Sequence, residues 1–299
     1  MTPGEAVLDT VPGRASGLLG FLSLEELGDD LFRGWCHAGL PLRAFGGQVA
    51  AQALTAAGRT VPEGRTVHSL HGYFLRAGDT RRPLDYAVQR VRDGGSYLAR
   101  QVSASQDGQI VFTLSASFKA AEDGWDRQIA MPTASGPEEL PDLFGLWSDS
   151  APGDLQQVCY AEALELRHIE VPPGQGTPGL TEQKLWIRAA GTLPDDPMLH
   201  ACALAYASDL FLAPTGALDV ERPRALRTEP SSVYVTSLDH AVWYHRPFRA
   251  DDWLLFAQRS PTAADGRSLA FADVWSGEGQ LVASVVQESV LRQLRAATP

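Results

Sequence analysis

Lysine is nearly missing from this chain: Lys119 and Lys184 are the only two, and arginine supplies the rest of the 25 basic residues. Against 36 acids the formal net charge is −11, which argues against a non-specific grip on nucleic-acid phosphates. No apolar run approaches the roughly 20 residues of a membrane-spanning helix, so no membrane insertion is expected. The opening MTPGEAVLDTVPG carries an early acid and no basic patch before an apolar core, so no secretory signal is expected. Cysteine is scarce and scattered. Cys36, Cys159 and Cys202 make no C-x-x-C spacing, which suits buried thiols in a reducing cytoplasm better than a disulfide framework. Also absent are the G-x-S-x-G elbow of serine hydrolases, a Walker loop and a G-x-G-x-x-G dinucleotide fingerprint.

What the chain does hold is a series of short periodic runs. With 44% apolar and 20% charged residues, 299 residues suffice for one large or two ordinary globular domains. FGGQVAAQALTAAGRTVPEG (45–64) predicts a helix opened by Gly46-Gly47 and closed by Gly58, with Pro62 beyond. Strand patterns follow at 66–76, 84–94, 96–106 and 109–118, the last two joined by the Asp107-Gly108 hairpin signal. Later the plan returns. Asp196-Pro197 marks an N-cap and first helical residue, and the helix is expected to run until Pro214. Strands are predicted at 231–248, 253–260, 268–276 and 280–292, with Glu278-Gly279 where Asp107-Gly108 stood. Segment 120–143 reads as a connection, and 171–183 as a loop between ALELRHIEV and KLWIRAAG.

The two halves align. Setting DGQIVFTLSASF on EGQLVASVVQES places Gly108 on Gly279, an offset of 171; setting VHSL on VTSL places Val67 on Val235, an offset of 168. Self-similarity at this period marks a duplicated domain rather than a solenoid. From 198 to 213 only His200, Ser208, Asp209 and the phenol of Tyr206 interrupt an apolar surface, so this helix is expected to be buried all round. A buried helix wrapped by a curved antiparallel sheet, present twice, is an α+β double hot-dog whose two sheets can cover each other's edges. The expected boundaries are 1–119 for the first unit, 120–157 for a linker and 158–299 for the second.

Asp209 is the outlier in ACALAYASDLFLAP (201–214). Its apolar neighbours cannot replace the hydration a carboxylate loses on burial, so its partners have to come from elsewhere in the fold.

Ordered motifs along the chain resemble the type II acyl-CoA thioesterase family, double hot-dog enzymes of bacteria and peroxisomes. They are LEELGDDLFRG (24–34), FGGQVAAQAL (45–54), VHSLHGYFLRAGD (67–79), RDGGSYLARQVSASQDG (92–108), WIRAAGTLPDD (186–196), LAYASDL (204–210), LDHAVWYHRPF (238–248), DDWLLF (251–256) and LVASVVQESVLR (281–292). The resemblance implies hydrolysis of fatty acyl-CoA to free acid and coenzyme A without a covalent intermediate, a cofactor or a metal. It further implies a water held by an Asp, a Thr or Ser, and a Gln. Asp209 and Gln287 match the first and third, and the register counted back from Leu238-Asp239-His240 puts Ser237 at the hydroxyl position, where threonine is usual. Thr236 is the competing hydroxyl and would face the other side of a strand. A homodimer or homotetramer is the assembly the family implies.

Those residue types suit the chemistry. A carboxylate can take a proton from water and orient it, while a hydroxyl and an amide fix the water or the carboxylate. Backbone N–H groups near Gly46-Gly47 are candidates to polarise the carbonyl. At the offsets found above, Gln287 falls on Ala116 and Ser237 on Ser69, and the first helix carries no acid, so one catalytic set per chain is expected. On a regular strand His68 and His71 are expected to point to opposite faces and so not to share a metal, with either one as a general base the alternative. His240 and His245, near Asp239 and Arg246, read as structural hydrogen-bonders at a domain or dimer contact. Arg76, Arg81 and Arg82 read as a solvated strand end, with the coenzyme A phosphates as the alternative. Two other functions fit the same fold: an enoyl-CoA hydratase and a non-catalytic acyl-CoA binder.

Overall fold

The computed structural model describes residues 16–37, 43–150, 155–169, 179–221 and 231–294. The first half runs α1 (Gly17–Leu22), β1 (Glu25–Gly28), β2 (Leu31–Gly34), α2 (Gly46–Arg59), β3 (Thr66–Phe74), β4 (Leu84–Asp93), β5 (Tyr97–Gln106) and β6 (Gln109–Lys119). Two helices follow, α3 (Leu143–Ser150) and α4 (Leu155–Ala163). The second half runs β7 (Leu164–Ile169), β8 (Glu182–Ala189), α5 (Pro197–Ser208), α6 (Leu212–Thr215), β9 (Val233–Ser237), β10 (Asp239–Tyr244), β11 (Leu254–Ala264), β12 (Arg267–Ser276) and β13 (Leu281–Gln293). Part of the loop predicted at 171–183 lies outside the described residues.

The strands form one antiparallel sheet in the order β1-β2-β4-β5-β6-β3-β10-β13-β12-β11-β8-β7, with β9 attached to β13. The order mirrors itself about the β3–β10 seam, where His240 lies opposite Gly72 and Val242 opposite Leu70. Each half thereby covers an edge that the other would leave open. This is the α+β double hot-dog expected from the duplication.

Inside the curve lie α2 and α5, packed antiparallel. A Cβ at Gly47 would collide with the Tyr206 carbonyl, and one at Gly58 would come within 2.8 Å of the Met198 side chain. Gly58 is therefore a close-approach residue within α2, not the helix stop expected; the helix continues to Arg59 and caps at Thr60. Residues 200–208 of α5 are all buried. In α2 two buried polar side chains anchor the helix: Gln48 and Gln52 each donate to the Phe21 and Trp35 carbonyls, and Gln52 accepts from the Tyr86 hydroxyl.

Two further expectations shift. The helix after Pro197 ends at Ser208, well before Pro214, which instead sits in the first turn of α6, where its missing N–H costs no helical bond. The run 231–248 is two strands, broken at Leu238. Residues 120–136 carry no helix or strand and lie on the outer face of the second half. There the Trp186 indole donates to the Ser135 carbonyl, and Gln128 exchanges bonds with the backbone of Gly279 and Leu281. No helix among the described residues is long and apolar enough to cross a membrane.

Candidate active site

Asp209 is the C-cap of α5, with φ −81° and ψ −16°, and only 7% of its surface is exposed. The helix closes there on a tightened turn, Leu210 N–H to the Ala207 carbonyl at 3.2 Å, which leaves the Asp209 side chain free of the helix. Three other elements meet it. From β13, Gln287 donates Nε2–H to Asp209 Oδ1 at 2.5 Å, and from β9, Ser237 donates Oγ–H to the same oxygen at 3.4 Å. From the first half comes the start of α2, set so close that a Cβ on Gly46 would lie 2.8 Å from Asp209 Oδ2. The first backbone N–H groups of a helix have no intrahelical acceptor, so this end of α2 presents positive charge to the carboxylate.

A bulge aims Ser237. It lies opposite Ser289 while Ala241 lies opposite Val286, so three residues of this strand face two of β13. Ser237 thereby points inward to Asp209, and Thr236 points out, where its Oγ1 accepts from Arg43 at 3.3 Å.

Sequence reasoning missed some of the surroundings. His240 is fully buried on β10, with Nε2 2.8 Å from Ser208 Oγ, next in chain to Asp209. Burial pushes its imidazole below the ordinary histidine value, and the neighbouring Asp209 charge pulls the other way. Ser289 is buried across from Ser237. Its hydroxyl and Gln287 Oε1 are both buried without a hydrogen-bond partner among the described residues. Both side chains sit on the inner face of β13, so the carboxylate is flanked by polar atoms still able to bond. Only strand alternation from Gln287 hinted at Ser289, and nothing in the sequence placed His240 beside an acid 31 positions earlier.

The first half holds a counterpart of this site, filled differently. Its strand pair β3–β6 has the same bulge, at His68, so Val67, not Ser69, stands where Ser237 does. The ladder sets Ala116 against Arg100 and Gln287 against Ala270, which makes Ala116 the counterpart of Gln287. The C-cap of α2 is Thr60 where α5 has Asp209. Arg100 fills the space: its buried guanidinium donates to Thr60 Oγ1 at 2.8 Å, the Thr60 carbonyl at 3.1 Å and Asp93 Oδ1 at 2.6 Å. A cation at a helix C-terminus is well placed, and it closes the position.

The remaining candidates have structural partners. His68 Nε2 lies 2.7 Å from Ser117 Oγ, and its ring is pushed below the usual value by burial. His71 packs edge-on against Trp243, and His245 pairs with Ser284 Oγ at 3.0 Å. Asp239 Oδ1 accepts from the Glu288 N–H at 2.6 Å, and Arg246 pairs with Asp126. Among the described residues no cluster of three His, Cys, Asp or Glu side chains could hold a metal ion.

Comparison with known proteins agrees with this architecture. Residues 33–119 match the acyl-CoA thioesterase N-terminal domain and residues 137–291 the acyl-CoA thioesterase C-terminal domain. The chain is 38% identical over 285 residues to the human acyl-coenzyme A thioesterase 8, covering 91% of this chain and 87% of that protein. It is 35% identical over 282 residues to acyl-CoA thioesterase 2 of Haemophilus influenzae, covering 93% and 97%. The crystal structure of an acyl-CoA thioesterase II from Mycobacterium marinum superposes with a TM-score of 0.75 at 41% identity, covering 92% of this chain and 97% of that one.

Proposed function

The chain belongs to the acyl-CoA thioesterase family, and on that premise we propose that it hydrolyses acyl-CoA to a free acid and coenzyme A with Asp209, Ser237 and Gln287 holding the attacking water. The observation that carries this reading is the meeting of three residues from α5, β9 and β13 around one buried carboxylate. Gln287 and Ser237 both bond Oδ1, which leaves Oδ2 to take a proton from water. Gln287 Oε1, without a partner among the described residues, accepts a hydrogen bond from the water's other O–H and so turns the water's lone pair toward the thioester carbon. The free N–H groups at the start of α2 stabilise the negative oxygen that develops.

The new C–O bond then displaces the C–S bond. The thiolate leaves with the electron pair and is protonated from Asp209, which returns as carboxylate. No side chain is acylated in this scheme and no external cofactor is used. Gly46 comes from the first half and Asp209, Ser237 and Gln287 from the second, so one chain completes one site. Arg100 occupies the other position.

Following thiol release from a panel of acyl-CoAs tests the reading. The wild type is expected to turn over and Asp209→Asn to lose about 10³-fold in kcat; an Asn variant with near wild-type turnover overturns it. The same reading expects a homodimer or homotetramer working in the cytoplasm. Supporting a reducing compartment, Cys36, Cys159 and Cys202 are all buried, and burial pushes the Cys202 thiol up to about 12.

A further inference from the structure

A chain of net charge −11 that takes acyl-CoA has to hold a nucleotide head bearing several phosphate charges, yet the residues assigned above reach only the thioester end. This inference rests on that substrate reading. Three arginines close in sequence to Asp79 are already engaged. Arg81 pairs with Asp79 at 2.7 Å, Arg82 pairs with Asp107, and Arg76 donates to the Ile110 carbonyl at 2.8 Å.

Arg43 is different. It lies three residues before Gly46, held in place by a bridge to Asp79 and by the Ala44 N–H bond to the Gly78 carbonyl at 2.8 Å. Its exposed guanidinium has no carboxylate partner among the described residues. Instead it reaches β9, with Nη1 3.4 Å from the Tyr234 hydroxyl and Nη2 3.3 Å from Thr236 Oγ1. Among the described residues β9 pairs with β13 alone, and no described strand bonds its other edge. The gap closes further along, where the Phe74 N–H bonds the Leu238 carbonyl at 2.9 Å. β9 and residues 43–46 therefore flank Asp209 from two sides, Ser237 on one and Gly46 on the other, and Arg43 spans from the second to the first.

We propose that Arg43, with the Tyr234 and Thr236 hydroxyls, binds a phosphate of the coenzyme A moiety while the thioester lies at Asp209. All three groups can donate to phosphate oxygens, none carries negative charge, and a guanidinium offers the paired donors that phosphate favours. Long contacts to neutral hydroxyls leave that fork able to take a better acceptor.

The test compares an acyl-CoA with the acyl-pantetheine of the same chain length, which lacks the nucleotide phosphates. Arg43→Ala is expected to raise KM for acyl-CoA about tenfold, the worth of one charge-assisted contact, with kcat little changed and acyl-pantetheine unaffected. Arg43→Lys should recover part of the loss, and added salt should raise KM for wild type more than for Arg43→Ala. Arg65→Ala, which removes a half-buried surface arginine bonded to the Gly95 and Ser96 carbonyls, controls for surface charge. Equal effects on both substrates, or none on either, overturn the proposal. Calorimetric binding of coenzyme A against pantetheine gives a second reading that needs no turnover. If wild type hydrolyses neither substrate but Arg43→Ala selectively weakens coenzyme A binding, the phosphate contact stands and the thioesterase reading falls.

Discussion

Gln287 Nε2 and Asp209 Oδ1 lie 2.5 Å apart, a bond between a strand near the end of the chain and a helix cap 78 positions earlier. Removing the amide by Gln287→Ala takes away both the donor to the carboxylate and the acceptor for water. The expected result is a fall in kcat of about 10²-fold with KM little altered. Gln287→Glu is expected to be worse at neutral pH, because two adjoining carboxylates cannot both stay ionised. Steady-state kinetics on one acyl-CoA separates these outcomes.

Ser237 contributes a longer bond, 3.4 Å, and its part in the site is correspondingly easier to replace. Ser237→Thr keeps the hydroxyl on the same inward face and should retain most activity, whereas Ser237→Ala should lose about tenfold in kcat. Equal loss in both variants would point to packing rather than hydrogen bonding.

The close approach of α2 to the carboxylate makes Gly46 a sensitive position. Gly46→Ala puts a Cβ 2.8 Å from Asp209 Oδ2 and 2.9 Å from the Phe74 ring, so one of the two has to move. We expect kcat to fall while the thermal midpoint shifts by only a few degrees. Unfolding followed by circular dichroism alongside the kinetics checks that the loss is local.

Much of this was legible in the sequence, and the limits have physical causes. The strands around Asp107-Gly108 were readable because a two-residue turn and alternating burial are local signals. Asp209 stood out because a lone acid in an apolar helix is costly, and Gln287 and Ser237 came from family resemblance. The break at Leu238 was not legible, since a bulge depends on the register against β13 and leaves the residue types unchanged. That same register moved the first-half counterpart of Ser237 from Ser69 to Val67. Arg100 was invisible as the occupant of the second position, because an arginine in a strand ordinarily points to solvent. The early stop of α5 escaped notice because Pro214 offered a plausible but later boundary.

Arg100 provides a stability prediction independent of the active site. Arg100→Ala removes a fully buried side chain with bonds to Thr60, Arg92, Ala99 and Asp93. The cost should be about 3 kcal/mol, from the lost contacts and the space left behind. Urea unfolding measures it, and the kcat of the folded variant is expected to match wild type.

His240 sets a pH dependence. Burial holds its folded value below the unfolded one, so as pH falls the unfolded chain binds the proton first. The stability this group contributes is complete above the unfolded value of about 6.5 and is lost below it, by at most about 1.4 kcal/mol per pH unit. His240→Gln, neutral throughout, should show a flatter decline in urea midpoint between pH 7.5 and pH 5.5 than wild type, and an identical decline would remove His240 from the account.

The central claim is that water held at Asp209 attacks the thioester itself. A single turnover with enzyme in excess, in isotope-labelled water, tests it by mass spectrometry of both product and protein. Direct attack puts the heavy oxygen into the released acid and leaves Asp209 unlabelled. Label in the Asp209 carboxylate, with unlabelled acid, would mean that the side chain was acylated and would contradict the account.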